Sequence, residues 1–205
     1  METITYEYGG GLYVNLTNRC DCACVFCLRH HGNRGSIYAD DLWLEHEPSR
    51  KEALADLLRR DLTSYPEIVF CGFGEPMYRA DDIVWLAGEL KRTVPNLPPL
   101  RINTNGHAAL ILDRDVVPEL AGRIDRLSVS LNGENAERYI ERTCPKDGER
   151  AWEAMLAFAG EAAEAGIAVT MTVVDRGMDA AEIAACEAIA RSLGAAFRVR
   201  HYIED

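Results

Sequence analysis

The sequence lacks any long apolar segment. No apolar run among its 205 residues approaches the roughly 20 that a membrane-spanning helix needs. The first residues, M-E-T-I-T-Y-E-Y, contain neither the basic nor the apolar region of a secretory signal. We therefore expect a cytoplasmic protein without a membrane partner.

The sequence also lacks an excess of basic residues. It has 33 acidic residues against 22 lysines and arginines, and a formal net charge of -11. This balance argues against a general nucleic-acid-binding surface, although a local basic pocket stays compatible with it. Repeats, low-complexity tracts and linker-like stretches are missing too. We therefore expect residues 1–205 to form one domain.

Cysteine is present in an odd number, seven, and four of the seven lie within N-R-C-D-C-A-C-V-F-C. A disulfide framework distributes its cysteines along a short secreted chain, and this sequence does not. In a reducing compartment, such a cluster indicates a metal or redox site.

The rest of the chain reads as alternating strands and helices. A glycine-rich turn joins two β-rich segments into a predicted N-terminal hairpin. Strands are predicted at 3–8, 12–17, 67–71, 100–104, 126–131, 167–174 and 196–202, and helices at 49–62, 80–94, 115–121, 149–165 and 179–194. Such alternation indicates an α/β fold with parallel strands, either a doubly wound sheet or a partial barrel. Six strand–helix units are too few for a closed eight-unit barrel.

Polar residues gather where the predicted strands end. The strand ends read T-N-R-C, C-G-F-G-E-P, N-T-N-G, S-L-N-G and V-V-D. Asparagine and glycine make turns in any fold, so one such loop means little. The carboxyl ends of parallel strands meet on one face, so five such loops together predict a shared site.

The clustered cysteines allow several chemistries. Zinc takes four thiolates, but usually from two separated pairs. A redox dithiol made of Cys24 and Cys27 would leave Cys20 unexplained. Cys20, Cys24 and Cys27 have the spacing C-x3-C-x2-C, which suits three corners of a 4Fe-4S cluster and leaves one iron open. Cys22 is then a spare thiol.

N-L-T-N-R-C-D-C-A-C-V-F-C, followed by G-F-G-E-P and N-T-N-G, resembles the motifs of the radical S-adenosylmethionine (SAM) superfamily. That resemblance implies a partial (β/α)6 TIM-type barrel, open on one side and preceded by the short hairpin. It implies a 4Fe-4S cluster on Cys20, Cys24 and Cys27, with SAM on the open iron. The implied SAM-binding residues are Phe26, Gly72, Phe73, Gly74, Glu75, Asn103, Asn105, Ser128, Ser130, Asn132 and Val174.

The wider run looks similar to one subgroup, the radical SAM proteins associated with TatD-type metal-dependent nucleases. L-Y-V-N-L-T-N-R-C, F-C-G-F-G-E-P and R-V-R-H-Y carry this likeness. It implies a TatD-type nuclease as a partner, and it implies no particular reaction.

The predicted function is therefore reductive cleavage of SAM to a 5'-deoxyadenosyl radical, which abstracts hydrogen from an unidentified substrate. Such an enzyme needs a low-potential electron donor of the flavodoxin or ferredoxin type. Two alternatives stay open: a glycyl-radical activase acting on a partner protein, and a non-catalytic iron–sulfur electron-transfer or sensor protein. Cys144, in R-T-C-P, is a candidate hydrogen-atom donor or substrate thiol, although a loop cysteine without any role is the favoured interpretation.

Overall fold

The structure is a computed structural model that describes residues 3–30 and 41–202. A seven-stranded sheet forms its centre, and its strands lie side by side in chain order. The strands are Thr5–Tyr8 (β1), Gly11–Val14 (β2), Ile68–Phe70 (β3), Leu100–Thr104 (β4), Arg126–Ser130 (β5), Ala168–Val174 (β6) and Ala196–Arg200 (β7).

Strands β1 and β2 form the antiparallel hairpin, and every later pair of neighbours is parallel. Gly9 and Gly10 make the hairpin turn at positive φ values of 55° and 84°, which side chains with a Cβ rarely adopt. Strands β1 and β7 are the two edges of the sheet, so the barrel is not closed. The prediction of a partial, open (β/α)6 barrel with an N-terminal hairpin is confirmed.

Helices follow the parallel strands. They are Arg50–Leu57 (α1), Ala80–Thr93 (α2), Ala108–Leu112 (α3), Val117–Leu120 (α4), Ala136–Thr143 (α5), Glu149–Glu164 (α6) and Ala180–Ser192 (α7). Ser49 and Asp179 cap α1 and α7 with the capping boxes that their sequences predict. In the part of the chain that the structure describes, every helix is too short or too polar to cross a membrane.

The sheet has an apolar face and a polar face because its strands alternate side chains. Alternate apolar residues such as Ile102, Val129 and Met171 are fully buried against the helices. The opposite side chains, among them Asn103, Ser128 and Arg198, lie on what we call the inner face. The inner face therefore carries the polar side chains inside the open barrel.

Two helices differ from the sequence prediction. Helices α3 and α5 occupy segments predicted as loops. Helix α5 reads A-E-R-Y-I-E-R-T, yet it buries Tyr139, Arg142 and Thr143, because the loop that carries the cysteines packs on it. The predicted helix at 49–62 ends as an α-helix at Leu57, and a 3-10 turn follows at Leu62–Ser64.

Candidate functional site

One cavity lies at the carboxyl ends of the parallel strands. Its lining combines four cysteines of one loop with residues from the ends of β3 to β7. The lining residues that bear on the site are Cys20, Cys22, Cys24, Phe26, Cys27, Cys71, Gly72, Phe73, Gly74, Glu75, Asn103, Asn105, Ser130, Asn132, Tyr139, Val174 and Arg200. The structure therefore brings together most of the site predicted from the strand ends.

Two predicted residues lie elsewhere. Ser128 faces a second cavity further along the inner face. Cys144 is exposed and adopts the left-handed conformation that ends α5, with its thiol 3.7 Å from the carbonyl oxygen of Glu141. Neither residue lines the cysteine cavity among the residues that the structure describes.

The segment Cys20–Cys27, here called the cysteine loop, has no regular secondary structure of its own beyond a single bridge. That bridge pairs Cys22 with Pro145. The amides of Ala23 and Val25 donate to the carbonyl oxygens of Thr143 and Arg142, at 3.1 and 3.0 Å. Backbone bonds to the end of α5 thus fix the shape of a loop that must hold several thiols close together.

Beneath the cysteine loop lies a buried chain of three polar side chains. His107 has no exposed surface; its Nδ1 lies 2.6 Å from Oδ2 of Asp21 and its Nε2 lies 2.5 Å from the Tyr139 hydroxyl. Burial raises the pKa of Asp21, but the hydrogen bond and charge of His107 outweigh it and hold that pKa below its usual value. Both imidazole nitrogens are occupied, so His107 braces the loop.

Sequence reasoning missed Asp21, His107 and Tyr139. Asp21 lies between two cysteines, and His107 directly follows N-T-N-G, so both adjoin motifs that were recognised. A polar residue next to a site motif is the signal that could have found them. No sequence feature connects Tyr139 with the site motifs, because it lies on helix α5, which the sequence did not predict.

Glu75 places a buried carboxylate in the cavity. Its Oε1 accepts hydrogen bonds from the Met77 amide at 3.0 Å and the Thr104 hydroxyl at 2.7 Å, and Oε2 accepts from the Asn105 amide at 2.7 Å. Burial nevertheless raises the pKa of Glu75 to about 7. A buried carboxylate in this state favours a cationic ligand group beside it.

Gly72 and Gly74 are required by close packing of the chain on itself. A Cβ on Gly72 would lie 2.0 Å from Oδ1 of Asn15, and one on Gly74 would lie 2.3 Å from the carbonyl oxygen of Thr17. The resemblance to the radical SAM superfamily implies that both glycines bind SAM. The structure shows that they let the loop after β3 lie directly on the end of β2.

The asparagines and Val174 surround the cavity from β4 to β6. Asn105 donates to Oδ1 of Asp21 at 2.7 Å, and Asn132 accepts from the Val174 amide at 3.0 Å. Asn103 accepts a hydrogen bond from the guanidinium of Arg101. Hydrogen bonds within the protein thus orient these side chains around the space in front of the cysteines.

The comparisons with known proteins agree with this geometry. The model of the radical SAM superfamily matches residues 14–187. This chain belongs to the radical SAM superfamily. It is therefore an enzyme of that class, and its cofactors are a 4Fe-4S cluster and SAM.

The curated relatives include GTP 3',8-cyclases and a molybdenum cofactor biosynthesis protein. The chain is 31% identical over 179 residues to a GTP 3',8-cyclase of Pelotomaculum thermopropionicum, an overlap of 85% of this chain and 49% of that protein. It is 28% identical over 143 residues to the molybdenum cofactor biosynthesis protein 1 of Drosophila melanogaster, covering 68% of this chain and 22% of the relative. The radical SAM chain thus spans half or less of the length of these relatives.

Solved structures show the same fold. SuiB of Streptococcus suis bound to SAM superposes with a TM-score of 0.69 at 18% identity, over 94% of this chain and 40% of that one. A radical SAM methyltransferase from Sphaerobacter thermophilus superposes with a TM-score of 0.57 at 17% identity, over 96% and 68%. At these identities the likeness concerns the fold alone.

The donor set fits the two cofactors. Burial raises the pKa of Cys27 to about 11, while the hydrogen bond from the Cys22 thiol lowers that of Cys20. Half-buried thiols of this kind become thiolates when metal ions supply the missing positive charge. Glu75 adds the buried carboxylate that an ammonium group would pair with.

Proposed function

We propose that Cys20, Cys24 and Cys27 bind the 4Fe-4S cluster and that SAM is cleaved reductively beside them. The observation that carries this proposal is that three thiols with C-x3-C-x2-C spacing share one cavity with the buried Glu75. When bound, the reduced cluster and SAM together supply a 5'-deoxyadenosyl radical that abstracts a hydrogen atom from the substrate.

The other residues of the cavity would bind and orient SAM. Glu75 would accept hydrogen bonds from the amino group of SAM, in place of the water that burial excludes. Asn103, Ser130 and Asn132 would present polar atoms to its ribose and carboxylate. Phe26, beside the last cysteine, and Val174, only 9% exposed, would give the adenine and the reacting atoms an apolar wall that limits access of water.

The test compares single cysteine variants after anaerobic reconstitution of the cluster. We expect C20A, C24A and C27A each to lose most of the bound iron and to form no 5'-deoxyadenosine with SAM and dithionite. C144A is the matched control, because Cys144 is exposed and outside the cavity. The proposal is wrong if the three variants retain the iron content and SAM cleavage of the C144A protein.

The same assay separates the alternatives. A non-catalytic electron-transfer or sensor protein would hold the cluster but form no 5'-deoxyadenosine. A glycyl-radical activase would form it and leave a stable protein radical on a partner, which electron paramagnetic resonance detects. Glu75 in the cavity favours a SAM-cleaving enzyme, because a simple electron carrier has no use for a buried carboxylate there.

A second candidate is activity on GTP. The 31% identity to the GTP 3',8-cyclase of P. thermopropionicum over 85% of this chain supports it. Incubation with GTP, SAM and dithionite, followed by chromatography of the nucleotides, tests it. GTP consumption coupled to 5'-deoxyadenosine formation would support this candidate, and unchanged GTP would remove it.

We further propose the subgroup associated with TatD-type nucleases, on the motifs L-Y-V-N-L-T-N-R-C, F-C-G-F-G-E-P and R-V-R-H-Y. The corresponding proposals are one radical SAM domain over residues 1–205, a cytoplasmic location, and a flavodoxin or ferredoxin as electron donor. Co-purification of a tagged chain with a TatD-type nuclease tests the partner. Reduction of the cluster by flavodoxin or ferredoxin tests the donor.

A further inference from the structure

The inner face of the sheet carries arginines that the proposed SAM site does not use. Arg198 and Arg200 lie on β7, next to Thr172 and Val174 of β6. Two residues apart on one strand, their side chains emerge on the same face, with Cα atoms about 6.6 Å apart. Both residues are exposed.

The two arginines open onto adjoining cavities. Arg200 lines the cysteine cavity. Arg198 lines a second cavity of about 480 Å³, together with Arg101, Arg126 and Ser128. That volume is within the roughly 300–1,000 Å³ of typical ligand pockets. Because Arg198 and Arg200 are two residues apart on one strand, the second cavity lies next to the cysteine cavity along the inner face.

Glu67, the acidic residue that lines the second cavity, already pairs with two arginines. Glu67 accepts hydrogen bonds from Arg101 at 3.0 and 2.7 Å, and Arg126 lies 3.6 Å from the same carboxylate. Within residues 3–30 and 41–202, neither Arg198 nor Arg200 forms an ion pair or a side-chain hydrogen bond. The inner face is thus locally cationic in a chain whose net charge is -11.

The charges of these arginines act on one another. Although Arg198 is exposed as a whole residue, partial burial of its side chain lowers its pKa, and the positive charges of Arg101 and Arg200 lower that pKa further. Burial also raises the pKa of the Cys71 thiol, and the charges of Arg200 and Arg101 partly oppose that rise. The guanidinium groups therefore face the same inner space, where an anion would relieve their mutual repulsion.

We propose that Arg198 and Arg200 bind a phosphate group of the substrate. The inference rests on the proposed function, since it places that group beside the space for SAM. Guanidinium forks match the oxygens of a phosphate bidentately, and two guanidinium groups on one face of a strand suit a dianion better than a single carboxylate. The substrate class is thus a phosphorylated small molecule, held with its reacting carbon towards the cysteine cavity.

The test is protection of arginines from phenylglyoxal, read by mass spectrometry on the cluster-containing full chain without SAM. The probe is inorganic phosphate, compared with acetate and chloride at equal ionic strength. We expect phosphate to slow modification of Arg198 and Arg200 several-fold and to leave Arg191, an exposed residue of α7, unchanged. In R198Q, phosphate should protect Arg200 about tenfold less well, because one anion bridges both groups. R191Q is the matched control and should keep the protection at Arg200.

Three results would overturn the inference: no protection by phosphate beyond chloride, equal or better protection by acetate, or full protection of Arg200 in R198Q. Circular dichroism and urea unfolding report whether each variant is folded. The experiment needs no SAM cleavage, so its outcome is separate from that of the proposed function. A protein that forms 5'-deoxyadenosine but shows no protection would contradict the phosphate site alone.

Discussion

The imidazole Nδ1 of His107 lies 2.6 Å from Oδ2 of Asp21, which is 86 positions earlier in the chain. Asp21 belongs to the cysteine loop and His107 to the turn after β4, so the contact ties that loop to the sheet. The Asp21 side chain is 5% exposed and the His107 side chain is fully buried. In such a setting, a polar group left without its partner is costly.

Replacing His107 by alanine should therefore destabilise the protein. The variant leaves a cavity and removes the partner of Oδ2 of Asp21 and that of the Tyr139 hydroxyl, so the free energy of unfolding should fall by about 2–4 kcal/mol. Urea unfolding of the cluster-free protein measures it. Looser bracing of the cysteine loop should also speed loss of the cluster in air, followed by its visible absorbance.

His201 provides a matched control for this prediction. Its Nδ1 lies 2.7 Å from Oδ2 of Asp175, but its side chain is 90% exposed. H201A should change the free energy of unfolding by less than about 1 kcal/mol, as for other exposed ion pairs. Equal losses in the two variants would show that burial adds nothing to the Asp21–His107 contact.

Much of the fold could be predicted because its strands alternate clearly. Strand β4 was predicted at 100–104, and the structure places it at Leu100–Thr104, with every second residue buried. Helix α5 could not be predicted, because its buried residues include Arg142, whose guanidinium donates to the carbonyl oxygen of Val174. A helix that buries an arginine lacks the regular spacing of apolar residues by which a helix is predicted from sequence.

The candidate site divides in the same way. Cysteine spacing and G-F-G-E-P are local patterns, so they predicted residues that the structure brings into one cavity. The bracing of that cavity joins residues far apart in the chain, and no local pattern carries such contacts. The arginine pair on β7 is visible in the sequence as R-V-R. That Arg101 of β4 lines the same cavity as Arg198 depends on the curvature of the sheet, which the sequence does not show.

Alanine at Gly74 should destabilise the loop after β3. The added Cβ would meet the backbone carbonyl of Thr17 at 2.3 Å, and backbone cannot yield as a flexible side chain does. We expect a loss of about 1–3 kcal/mol, the usual cost of overpacking, in urea unfolding. G88A is the control: nothing lies within 4 Å of its Cβ in α2, so it should stabilise by about 0.5–1 kcal/mol. A stable G74A protein would mean that the loop can shift away from β2.

Alanine at Cys22 should leave the iron in place. The Cys22 sulfur lies 3.5 Å from Nδ2 of Asn105, and its hydrogen bond to Cys20 raises its pKa, so it behaves as a donor thiol beside the proposed ligands. C22A should keep the iron content of the wild-type chain after reconstitution, whereas C24A should lose it. If C22A loses as much iron as C24A, Cys22 is a cluster ligand and the proposed ligand set is wrong.

Glutamine at Glu75 should weaken SAM binding. The amide keeps the shape of the side chain but loses the charge that would pair with an ammonium group, so SAM affinity should fall about 10- to 100-fold. Binding is measured by equilibrium dialysis of labelled SAM on the cluster-containing protein. E153Q, on the exposed side of α6, removes an equal charge and should bind SAM as the wild type does.

The raised pKa of Glu75 also predicts how SAM binding depends on pH. Burial favours the protonated form, so the contribution of this group to folding is greatest below the unfolded pKa and is lost as the pH rises through about 7. A cationic ligand has the opposite preference, since it needs the carboxylate. SAM should therefore bind more tightly at about pH 8 than at about pH 6, and E75Q should lose this difference. An identical pH profile in E75Q would show that another group titrates, and that Glu75 does not meet the amino group of SAM.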